Sequence, residues 1–74
     1  MSELTGMMRA YLFEAGTQGR KESDIYKRFR VIAREEVLLE LNALWAEEKV
    51  QRFTTSKTSA NPVRVWRATD KFNV

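Results

Sequence analysis

The sequence predicts an α+β domain, three helices followed by a two-stranded β-hairpin. Two observations carry this. Apolar residues recur at spacings of three and four as far as Trp45, and beyond Lys49 two runs rich in β-branched and aromatic residues flank a polar stretch. A third observation sets the scale, because 74 residues, 43% hydrophobic and 31% charged, suffice for a single core. A chain this short buries only about 60% of the surface its unfolded form exposes, so its stability is small and self-association would add to it.

In the first helix, read over Ser2 to Ala15, Leu4, Met8, Tyr11, Leu12 and Ala15 form one stripe. Ser2 is its candidate cap, and Gly16 its terminator through the left-handed conformation a residue without Cβ adopts freely. Thr17 to Gly19 read as loop. Ser23 followed by Asp24 marks the start of a short second helix, Asp24 to Arg30, with Ile25 and Phe29 one turn apart. Val31 to Ala33 make a tight connection. The longest periodic run, Arg34 to Glu48, places Val37, Leu38, Leu41, Leu44 and Trp45 on one face. Val50 to Thr55 and Val63 to Thr69 are the hairpin strands around Ser56 to Asn61, and Pro62 opens the returning strand, where its missing N–H does least harm. Alternation leaves open whether Trp66 with Ala68, or Val63 with Val65, faces inward. The reading is one domain over residues 1 to 69 and a frayed tail over 70 to 74.

The capped short helix, turn, long helix and opening strand in SDIYKRFRVIAREEVLLELNALWAEEKVQRF, with NPVRVWRAT as a returning strand, resemble the winged helix-turn-helix superfamily. Small prokaryotic DNA-binding regulators of phage, plasmid and fimbrial genes are similar in size and order. The stretch that carries the resemblance is Glu22 to Arg67. It departs from the usual pattern in a longer turn, in Arg30 where Gly is common, in Ala33 in place of a capping hydroxyl, and in Lys49 in place of the glycine that often ends the long helix. What the resemblance implies is double-stranded DNA binding and transcription regulation, with the amino end of the long helix at the major groove and the hairpin wing on the flanking backbone.

Charge is segregated along the chain although the net value is only +3. Residues 20 to 34 carry Arg20, Lys21, Lys27, Arg28, Arg30 and Arg34 against Glu22 and Asp24, whereas 35 to 48 carry Glu35, Glu36, Glu40, Glu47 and Glu48 with no base. Lys27, Arg28 and Arg30 are candidate phosphate ligands, with Lys57 and Arg64 on the wing. Arg34, first in the long helix, is the candidate for a base edge or else pairs with Glu35 or Glu22. Glu35 and Glu36 suit the positive end of a helix dipole. A second reading uses Glu36, Leu39, Glu40 and Ala43 as a protein interface, for a homodimer or for the partner of an adaptor or inhibitor. Tyr11, Phe13, Phe29, Trp45 and Trp66 are assigned to the core.

With Cys 0 and His 0, disulfides, thiolate or imidazole metal sites and imidazole-based triads are excluded. Adjacent carboxylates such as Glu35 with Glu36 diverge around a helix and form neither an acid/base pair nor a metal clamp. There is no P-loop, dinucleotide fingerprint or nucleophile elbow. The expectation is a binding protein and not an enzyme, with no cofactor, metal or membrane partner, and cytoplasmic because no apolar run is long enough for a signal or spanning segment.

Overall fold

Helix α1, Glu3–Ala15, opens a computed structural model that describes residues 3–55 and 62–73. The Ser2 cap, the Ser56 to Asn61 loop and Lys57 lie outside the described residues. At the end of α1, Gly16 takes φ +64, as its lack of Cβ permits, and starts a 3-10 turn, Gly16–Gln18. Arg20–Lys21, to which the sequence assigns no element, then form a two-residue strand, β1. Gly19 explains the approach: at φ 70, ψ −170, a region open to glycine, it lies so close to β3 that a Cβ there would stand 2.6 Å from the Trp66 carbonyl oxygen.

Helix α2, Glu22–Arg28, begins two residues before the expected start, so Ser23 lies inside it and caps nothing; the residue before the helix is Lys21, without a capping side chain. Phe29 ends it, its N–H bonded to the Ile25 carbonyl. Helix α3, Arg34–Ala46, is two residues shorter than expected. Its end is a Schellman motif, with Lys49 N–H donating to the Leu44 carbonyl and Glu48 N–H to the Trp45 carbonyl, both at 2.9 Å. The left-handed residue in that motif is Glu48, φ 63. The position glycine often fills is therefore Glu48 and not Lys49.

The strands β2, Val50–Thr55, and β3, Val63–Ala68, pair antiparallel from Val50↔Ala68 to Thr55↔Val63, and β1 pairs on the other side of β3. The sheet order is β1-β3-β2. Cross-strand partners share a face, so Val50, Trp66 and Ala68 look toward the helices while Phe53, Val63 and Val65 look away. That settles the orientation in favour of Trp66 with Ala68. Trp66 is fully buried and joins Met8, Leu12, Ile25, Phe29, Val37, Leu41, Leu44, Val50 and Phe72 in the core.

Three expectations are corrected here. The inner stripe of α3 is Val37, Leu41 and Leu44, while Trp45, one step further round, is 41% exposed and meets Trp66 edge-on at 6.2 Å. Phe13 also lies at the surface, against the Phe72 ring. The chain end is no frayed tail over its described part: Asp70–Asn73 wind into a 3-10 turn that drives Phe72 into the core.

Candidate nucleic-acid interface

The last turn of α2 and the first residue of α3 face each other across the Phe29 to Ala33 connection, and this brings three of the candidate cations together. Lys27, Arg30 and Arg34 line one open cleft with Glu22, Ser23 and Tyr26. Tyr26 forms its wall, half-buried one turn after Glu22, and the Arg34 guanidinium lies over its ring at 4.7 Å. All three cations are exposed, and none forms an ion pair among the described residues.

The carboxylate in the cleft is already committed. Glu22 Oε1 accepts the Trp66 indole N–H at 3.0 Å, and Oε2 pairs with Arg64 at 2.9 Å. Burial, then the negative charge of Glu22, raises the Tyr26 phenol above the ordinary tyrosine value, with Arg64 and Arg34 pulling the other way. Tyr26 is thus a protonated hydroxyl at neutral pH. Glu22 and Tyr26 were not among the candidate residues from sequence; their i, i+4 spacing on one helix face was the available signal.

The remaining candidates separate. Arg64 reaches the margin of the cleft, but as the ion-pair partner of Glu22 and about half exposed. Arg28 points elsewhere, near the Phe29 ring at 5.3 Å and the Tyr11 ring at 5.8 Å. Arg20 covers the same Tyr11 at 4.2 Å and donates through Nε to the Tyr11 carbonyl. On α3, Glu36, Leu39 and Ala43 are exposed, Leu39 to 70%. Glu40 does not belong with them, because its Oε1 accepts the Thr5 hydroxyl of α1 at 2.5 Å.

Charge without buried acid/base pairs and an open, solvated cleft suit binding of an extended anion through many weak contacts. Among the described residues no group of three or more His, Cys, Asp or Glu could hold a metal ion, and no helix is long and apolar enough to cross a membrane. Compared with known proteins, the chain has no significant match to a family model, a curated protein or a solved structure.

Proposed function

We propose that this chain is a winged helix-turn-helix domain that binds double-stranded DNA as a regulator of transcription. The observation that carries the reading is the convergence of Lys27, Arg30 and Arg34 on one cleft whose carboxylate, Glu22, is occupied by Trp66 and Arg64. The three-stranded order, with a short strand between the first two helices pairing beside the hairpin, is compatible with that fold. In the proposed pose Lys27 and Arg30 hold phosphates, Arg34 at the amino end of α3 approaches the major groove, and Arg64 with the wing loop carrying Lys57 follows the flanking backbone. Glu35 and Glu36, exposed in the first turn of α3, repel phosphates and restrict the approach to this end of the helix.

Fluorescence anisotropy with duplex DNA at several salt concentrations tests the reading. Log affinity is expected to fall linearly with log salt with a slope of about −4 to −5, at about −0.9 for each phosphate neutralised. Absence of binding at low salt contradicts it. A second reading, an interface for a second copy or a protein partner, is favoured by Leu39, 70% exposed between Glu36 and Ala43. Sedimentation across a concentration range tests self-association, and Leu39→Ser is expected to weaken it.

A further inference from the structure

Strand β2 lies at the edge of the sheet, with no partner strand on its outer side among the described residues. Successive side chains leave a strand on opposite faces, so Arg52 emerges on the helix side and Gln51 and Phe53 on the other. On the helix side, the Arg52 guanidinium lies 4.0 Å from the ring centre of Trp45, which the last turn of α3 holds 41% exposed. On the other, Arg67 lies 5.9 Å from the Phe53 ring and donates to Gln51 Oε1. Trp45, Gln51, Arg52, Phe53 and Arg67 line one open groove over this edge, and none of them is acidic. Neither arginine pairs with a carboxylate among the described residues. On the far side of Trp45, Glu48 is held by Lys71.

Two uncompensated guanidinium groups call for an anion, and an exposed indole with a half-buried phenyl calls for flat apolar faces. We propose that this groove binds single-stranded nucleic acid, with bases against the Trp45–Arg52 and Phe53–Arg67 pairs and phosphates beside the guanidinium groups. A duplex keeps its bases stacked on one another and cannot offer their faces here. An acidic peptide satisfies the arginines and leaves the aromatic pair without a role. The groove shares no residue with the Lys27, Arg30 and Arg34 cleft, so the proposal stands apart from duplex binding.

Tryptophan emission reads this site directly, since Trp66 is fully buried and Trp45 is not. Short oligodeoxyuridylate and oligouridylate, which differ only at the 2′ position, are titrated into the full chain at low salt. The expected result is saturable quenching by one or both probes, the stronger one identifying the sugar, weakened about tenfold by Arg52→Ala and by Arg67→Ala. Lys27→Ala with Arg30→Ala leaves it unchanged. Because Arg52 also packs on Trp45, thermal unfolding is followed in each variant, and Arg67→Ala, on the opposite face, is the deciding substitution if Arg52→Ala proves unstable. No saturable quenching, quenching that survives Arg67→Ala, or quenching lost in the Lys27 and Arg30 variant overturns the proposal.

Discussion

Replacing Glu22 perturbs the fold and the basic cleft at once, and in opposite directions. Its side chain is 13% exposed, and Oε1 receives the indole N–H of a tryptophan with no access to water. A hydrogen bond to a charged acceptor contributes about 1.5 to 3 kcal/mol, and its loss leaves the Trp66 N–H buried without a partner. Arg64 is about half exposed, so its ion pair adds at most about 1 kcal/mol after screening. Glu22→Ala is therefore expected to cost about 2 to 3 kcal/mol, a fall in melting temperature of about 10 to 20 °C for a domain of this size. Glu22→Gln retains an amide oxygen for the indole and should cost roughly 1 kcal/mol. Both changes free Arg64 of its partner and remove the carboxylate from the cleft, so duplex DNA should bind Glu22→Gln about three- to tenfold more tightly at low salt. Urea unfolding in a double-mutant cycle with Trp66→Phe is the assay: in that background Glu22→Ala should cost at least about 1 kcal/mol less. Costs that simply add, or a Glu22→Ala variant within about 0.5 kcal/mol of the parent, would show that the carboxylate does not stabilise the fold through the Trp66 indole.

Lys27→Ala and Arg30→Ala should each make the salt slope for duplex DNA shallower by about one, whereas Arg28→Ala, on the Tyr11 side, should leave it nearly unchanged in the same anisotropy titration. Gly19→Ala should destabilise by about 3 kcal/mol in chemical unfolding, because the backbone there is in a glycine-only region and the new Cβ meets the Trp66 carbonyl. Phe72→Ala should cost about 3 to 5 kcal/mol in the same measurement, since its ring fills the core. Tyr26 should ionise above the ordinary tyrosine value of 10.0 in an ultraviolet pH titration. A raised folded-state value means its stabilising contribution is complete below the unfolded tyrosine value of 10.0 and is lost as pH rises through the folded one, and Tyr26→Phe should reduce that alkaline loss.

Helices α1 and α3 and the hairpin were legible because each repeats its pattern over several turns or pleats, and burial of one face enforces the period. Strand β1 was not legible: two residues contain no alternation, and only the glycine-permitted approach of Gly19 to Trp66 makes them a strand. Ser23 misled because a capping residue type need not cap when the backbone enters helix two residues earlier. Leu44 and Trp45, about 100° apart around α3, bound a broad apolar face, so the period alone could not say which of them the core would cover. Phe72 stands between Lys71 and Asn73 with no period to announce it. At the candidate site, the sequence named the cations but not their grouping, because Lys27 and Arg28 diverge by about 100° around one helix whereas Lys27 and Arg34 meet only through the turn. The link from Glu22 to Arg64 and Trp66 spans strands and helices far apart in the chain, and no local pattern encodes it.

Amide chemical-shift mapping with a saturating DNA duplex tests duplex binding at the Lys27, Arg30 and Arg34 cleft, because it locates the contact surface residue by residue without altering the protein. The largest shifts are expected on Ser23, Tyr26, Lys27, Arg30 and Arg34 around the cleft, with Arg64 at its margin, while the far end of α3 from Asn42 to Ala46 stays near its free values. Shifts centred on Leu39 and Ala43, or no shifts above those of an equal ionic strength of salt, would contradict it.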